Sequence, residues 1–246
     1  MSVFAVLDPA VDLAHDTVAA LAHVVPTALA IVLFTVCVRL ALHPLARAAA
    51  RGEKARARLA PQVAELNRKH KGRPEKLRAA LAELYREEKA SPFAGCLPML
   101  VQIPFFSVMY RLFTTPNDLL DHTLFGAPLG LHVGSVQGAG QWAVFAVLYA
   151  GLTAVAYVGF RRARRAQAAQ AAQTAQAAQA AKADGAPPQP GLAVLPYLSF
   201  GTVLFAALVP LAAGVYLLTT TTWSAAERAW LYRDGAPESA GGVALV

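Results

Sequence analysis

Arg39 stands near one end of an apolar run, 22–42, with Thr35 one helical turn earlier on the same face. A guanidinium in a membrane span is costly, so it snorkels, pairs or faces water. Arg39 lies only about 5 Å from the end of the run at 1.5 Å per residue, and snorkelling to the headgroups would account for it. The alternative is electrostatic. A positive charge beside a hydroxyl, facing a wet cavity between helices, would attract an acidic group with no covalent step. Both readings stand on these residues alone.

A second apolar run, 93–113, has Pro92 just before it and holds Gly95, Cys96, Pro98 and Pro104, with Gln102 in its middle. Each proline inside a span leaves a carbonyl that must find another partner. A bent span carrying a glutamine suits a bundle around a wet interior, although prolines are common in membrane helices generally. Covalent chemistry has no such foothold. The chain lacks a Gly-rich loop ending in Gly-Lys-Ser/Thr and lacks His-Glu-x-x-His. The apolar runs hold no paired acids and no Ser/His pair, and the six histidines are scattered. Cys37 and Cys96 fall inside apolar runs and read as small buried residues. The sequence thus predicts neither an enzyme nor a cofactor or metal site.

The elements that must position these residues are membrane spans. The chain is 56% apolar and only 15% charged, against about 25% charged in soluble domains. A bilayer core of about 30 Å needs roughly 20 apolar residues in a helix. The runs 22–42, 93–113 and 142–160 meet this need. The last apolar region, 192–223, is about 48 Å long as one helix, and Val209-Pro210 is its natural break. It reads as two spans, 192–209 and 211–230, for five in all. No secretory signal is evident, so the first span is expected to remain in the protein.

Thirteen of the 22 Lys and Arg lie between His43 and Pro92, and five more fall in 161–191. Residues 1–21 and 114–141 contain neither, but carry Asp8, Asp12, Asp16, Asp118 and Asp121. Cytoplasmic loops retain Lys and Arg, so the N-terminus is expected outside and the tail, 231–246, in the cytosol. In the basic segment 46–90, Leu59, Val63 and Leu66 form one narrow helical stripe and Leu77, Leu81 and Leu84 another. Lys71-Gly72-Arg73-Pro74 lies between them as a turn, which predicts an antiparallel cytoplasmic helical hairpin. The hairpin either meets a partner, for which a ribosome would suit its charge, or is a solvated helix pair. Asp8-Pro9 suits a helix start, so 1–21 is either a short amphipathic surface helix or a solvated tail. The Ala/Gln tract after Arg161 is a basic low-complexity loop able to extend the third span as helix, and the Pro/Gly-rich stretch 184–191 ends it.

Three stretches carry a family resemblance. Thr35-Val36-Cys37-Val38-Arg39-Leu40-Ala41-Leu42-His43-Pro44-Leu45 resembles the first core span of the YidC-type (YidC/Oxa/Alb) membrane protein insertases, with its Arg before a Pro-Leu exit. The stretch 84–106 is similar to the family's hairpin end and second span, with Tyr85, Pro92, Gly95-Cys96-Leu97-Pro98 and Gln102-Ile103-Pro104 in order. Pro210 to Leu218, with Tyr216, resembles the final span. The likeness covers roughly residues 20 to 232 and is most specific in the second stretch. Departures from the family pattern are Ser91 before Pro92, Ala212-Ala213 after Pro210, Leu217 after Tyr216, threonines 219–222 where a polar Asn is usual, Arg111, and a tail without a basic run. They imply a short, divergent paralogue.

The resemblance implies an all-α polytopic protein of the bacterial inner membrane, with five spans and the cytoplasmic hairpin. It further implies a polar groove open to cytosol and lipid, with Arg39 supplying charge and Thr35, Gln102 and Tyr216 lining it. Pro92, Gly95, Cys96, Pro98, Pro104 and Pro210 would then shape the spans. Nascent membrane proteins and lipid would be its partners, with the ribosome, a targeting factor and the Sec translocon as further ones. A small polytopic transporter or channel is the rival reading, but internal repeats or several intramembrane charges should mark it, and the sequence has neither.

Overall fold

The computed structural model describes residues 8–88, 97–180 and 196–232. The protein is mostly helical, and α7 stands at its centre, packed on α2, α5, α4 and α6. In chain order the helices are α1 (Asp8–Ala22), α2 (Thr27–Lys69), α3 (Pro74–Glu87), α4 (Leu97–Thr114), α5 (Ala139–Ala180), α6 (Gly201–Ala206) and α7 (Leu211–Leu231).

The longest helix departs from expectation. A span at 22–42 and a separate hairpin arm from 46 onward are instead one 43-residue helix, α2, running through Pro44 and Pro61, while Ala22 closes α1. Its length is about 64 Å, twice a bilayer core. Pro44 removes one backbone donor and leaves the carbonyl four residues earlier without its helical partner. Packing on α7 keeps the helix going past that point. The Arg47 guanidinium lies 4.6 Å from the Trp230 ring centre and the Lys54 ammonium 5.5 Å from that of Tyr232, and the Tyr232 hydroxyl donates to Glu53.

Past Lys69 the chain turns through 70–73, where Gly72 adopts φ +82°, a left-handed conformation open to glycine at little cost. Pro74 then opens α3, where its missing N–H would have had no helical acceptor. Leu77, Leu81 and Leu84 are half-buried, as are Val63 and Leu66, while Leu59 is buried.

Between α4 and α5 lie two 3-10 turns, Asp118–Asp121 and Val133–Ser135, and a two-stranded ribbon. β1 (Thr123–Leu124) pairs antiparallel with β2 (Ala127–Pro128) around Phe125-Gly126, so the all-α expectation misses one small sheet. Both turn residues have positive φ, 49° and 81°, as a two-residue hairpin matching strand twist requires. This loop also terminates α7. Pro210 offers no side-chain cap, and the first backbone donors of a helix lack internal acceptors. The Leu211 N–H donates to the Leu131 carbonyl at 2.9 Å and the Ala212 N–H to that of Leu129 at 2.8 Å.

α5 begins three residues before the expected 142 and extends through the basic cluster into the Ala/Gln tract as far as Ala180, so much of the expected loop 161–191 is helix. Before Pro210 the described residues form a 3-10 turn, 196–200, followed by α6. Residues 207–209 turn into the proline, so the helix ends at Ala206 rather than at the expected 209, and residues 192–195 of the expected span lie outside the described ones. Among the described residues, α2 and α5 are long and apolar enough to cross a bilayer, with only 22% of each apolar window buried inside the protein. Leu33 and Leu40 on α2, Val147 and Val158 on α5 and Leu204 on α6 all face outward. Such apolar surface suits lipid and is disfavoured in water. The buried core joins Val18, Ile31, Met109, Phe113, Leu119, Leu129, Phe145, Leu152, Leu211 and Leu217.

Candidate functional site: a polar seam between α2 and α7

Residues four apart share one face of a helix. On α2 this places Ile31, Thr35, Arg39, His43 and Arg47 in one row, and their partners climb α7 in the same order. Arg39 meets Thr220, His43 meets Glu227, and Arg47 meets Trp230. The two helices therefore run parallel.

Arg39 is half-buried. Its Nε–H donates to Thr220 Oγ1 at 2.9 Å and its Nη2 group donates to the same oxygen. A guanidinium carries five N–H donors and no acceptor, so two of the five converge on one neutral hydroxyl. Thr220 is itself buried and its carbonyl accepts from Ser224 Oγ at 2.8 Å. The arginine is turned toward a neighbouring helix.

Thr35 is fully buried, and its hydroxyl donates to the Ile31 carbonyl at 2.7 Å within its own helix. Tyr216 is buried too, with its ring 6.0 Å from that of Phe113. Both flank Arg39 in the seam. Pro98, Gln102 and Pro104 lie on the part of α4 whose backbone alone is described, and Pro92, Gly95 and Cys96 fall outside the described residues. Pro210 immediately precedes α7. Cys37, expected to be buried, is on the exposed side of α2, because it lies half a turn from the Thr35–Arg39 row.

One turn beyond Arg39, His43 Nδ1 lies 2.5 Å from Glu227 Oε1, with the two side chains 24% and 12% exposed. Glu227 is also within electrostatic reach of Arg39. On α5, Arg162 donates to the Ala225 carbonyl at 2.7 Å. The sequence reading missed Thr220, His43 and Glu227. A signal was present: Thr220 and Glu227 are seven residues apart on α7, two turns up one face, just as His43 repeats the face of Thr35 and Arg39. The seam can hold, orient and neutralise an anionic group by charge and hydrogen bonding.

The far end of the bundle carries different pairs. Arg111, unexpected near the end of its span, is bonded to Asp8 on α1. Thr27 is bonded to His122. His15 Nε2 lies 2.8 Å from Asp118 Oδ1. That hydrogen bond raises the His15 pKa from its ordinary 6.5, against a smaller lowering by burial, and it holds the Asp118 carboxyl below its ordinary value.

Three similar proteins are each named "Membrane protein insertase YidC". That of Caulobacter vibrioides is 39% identical over 98 residues, 40% of this chain and 16% of the relative. Those of Helicobacter pylori and Pelagibacter ubique are 42% identical over 90 residues and 46% over 88, covering 37% and 35% of this chain and 16% of each relative. The matched part thus spans about a sixth of these relatives' length. A sequence model described as "60Kd inner membrane protein" matches residues 20–238. With nearly its whole length accounted for by that match, the chain belongs to the 60Kd inner membrane protein family, the YidC/Oxa family.

Proposed function

We propose that this protein is a membrane protein insertase. It accepts nascent membrane proteins at the polar seam and releases their apolar segments sideways into lipid. The observation that carries the reading is Arg39, a half-buried guanidinium on an apolar helix, turned inward onto Thr220 of α7.

In this reading the chain crosses the bacterial inner membrane five times, with the N-terminus outside and the tail in the cytosol. Parallel α2 and α7 support it, since the first and fifth spans of such a chain run the same way. The Lys- and Arg-rich segments then lie together on the cytosolic side, and α3 with the end of α2 forms the cytosolic hairpin that meets clients, the ribosome or a targeting factor. The Sec translocon would lie beside the spans.

Arg39 supplies the groove's charge, Thr220 orients it, Thr35 and Tyr216 form the floor, and Gln102 adds a polar group from the second span. A client's short acidic tail is drawn to the guanidinium. Two unit charges 4 Å apart at an effective dielectric near 20 attract by about 4 kcal/mol. That matches the roughly 2.5–3.5 kcal/mol apparent cost of an acidic residue at the centre of a membrane helix. The client's apolar span then partitions into lipid, and its own hydrophobicity drives the step. No bond is made or broken, so no cofactor takes part.

The test is rescue of cells depleted of their housekeeping insertase. Wild type is expected to restore client insertion, and Arg39→Ala, at equal abundance, to lose it. Equal rescue by the alanine variant would remove Arg39 from the mechanism. Arg39→Lys separates charge from the two-pronged contact with Thr220.

A further inference from the structure

The insertase reading gives Arg39 a task but leaves the neighbouring His43–Glu227 pair without one. Glu227 projects from α7 into the seam at 12% exposure, touches His43 at 2.5 Å and acts electrostatically on Arg39. Other charges nearby are engaged elsewhere. Arg47 lies over Trp230, Arg162 is bonded to the Ala225 carbonyl, and Glu53 accepts from Tyr232. The charge of Glu227 is opposite to that of Arg39 and offsets it. A seam expected to attract acids by one positive charge thus already contains an acid.

We propose that Glu227 is a specificity-determining residue, a resident counter-charge that competes with the acidic tail of a client for Arg39. The inference rests on the insertase reading. In the proposed orientation a client entering from the cytosol meets His43 and Glu227 before Arg39. A tail carboxylate is repelled by Glu227 as it is attracted by Arg39, and in a partly desolvated site neither force is screened as it would be in water. Tails bearing acids are therefore held less firmly than Arg39 alone would hold them, while uncharged tails feel neither force. His43 tempers the effect by engaging the carboxylate. Without it, the charge of Glu227 acts more fully on Arg39 and on the tail.

The experiment uses the full chain in proteoliposomes with two synthetic single-span peptides, identical except that one tail carries three aspartates and the other three serines. Insertion is read by protease protection, with empty liposomes subtracted. Glu227→Gln keeps the shape and an acceptor for His43 while removing the charge. It is expected to raise the ratio of acidic-tailed to neutral-tailed insertion about threefold or more. His43→Gln is expected to lower that ratio, and it carries the same test should the first variant fail to fold. An unchanged ratio in a folded variant, with wild-type insertion intact, overturns the counter-charge alone. If wild type inserts neither peptide above empty liposomes, the insertase reading itself fails and takes this inference with it.

Discussion

At the loop end of the bundle, α1, residues 115–138 and the start of α7 meet over buried Val18, Phe113, Leu119, Leu129, Phe145 and Leu211. The ionic contacts there are peripheral: the Asp8 side chain is 49% exposed and that of Asp118 is 74% exposed. At the basic end, the α2–α7 seam is joined by Arg39–Thr220, His43–Glu227 and Arg47–Trp230. The loop end is thus closed by packing, with charge as trimming, and the basic end is zipped by polar groups that water or another anion can replace. Apolar packing has no substitute partner in solution, whereas a hydrogen bond to a guanidinium does. The client route proposed above, open toward the basic side and shut at the other, would use that asymmetry.

Three perturbations sharpen the contrast, beginning with the largest. Phe145→Ala removes a ring only 1% exposed. It should destabilise the fold by about 2–4 kcal/mol, somewhat less than in a soluble core because lipid is as apolar as the site. Denaturant titration in mixed micelles measures it, and a loss below about 1 kcal/mol would mean that packing does not close this end. Thr220→Val keeps the volume but deprives Arg39 of its acceptor. A hydrogen bond to a charged group is worth about 1.5–3 kcal/mol, and solvent access to half-buried Arg39 pulls the effect toward the lower value. The variant should also make a cysteine at position 35, one turn from Arg39, more reactive to aqueous thiol reagents. Unaltered stability and labelling would show that the seam is not held by this contact.

The smallest effect is that of Asp118→Asn, and its size depends on pH. His15 has its pKa raised in the fold, so its share of stability is complete below about 6.5 and fades as pH rises through the folded value. Asp118 has its pKa lowered, so its share is present above about 4 and fades as pH falls. The wild type should therefore exceed the variant most near pH 5–6 and least near pH 8.5, by a small margin for so exposed a pair. Melting curves at the two pH values check it. A gap that does not change with pH would mean the pair contributes nothing to holding α1 on the loop.

What a one-dimensional reading reaches is local. Apolar length marks α2 and α5 as fit to cross a bilayer, and the proline and glycine motifs identify the family across most of the chain. Pro74 and Pro210 punctuate the helices because a missing N–H acts where it stands. Pro44 does not break its helix, because Trp230 and Tyr232 brace it from far along the chain, through Arg47, Lys54 and Glu53. The same distance hides Asp8–Arg111, 103 residues apart, and His43–Glu227, 184 apart. Each group alone looks like an ordinary surface charge, and only the parallel course of α2 and α7 makes the latter pair.

The two carbonyls at Leu129 and Leu131 that receive the opening N–H groups of α7 also act as a datum line. Every residue of that helix is measured from them at 1.5 Å per step, so Thr220 comes level with Arg39 only while the loop holds its place. A lesion in the loop, remote from any client, would therefore surface as a misaligned arginine.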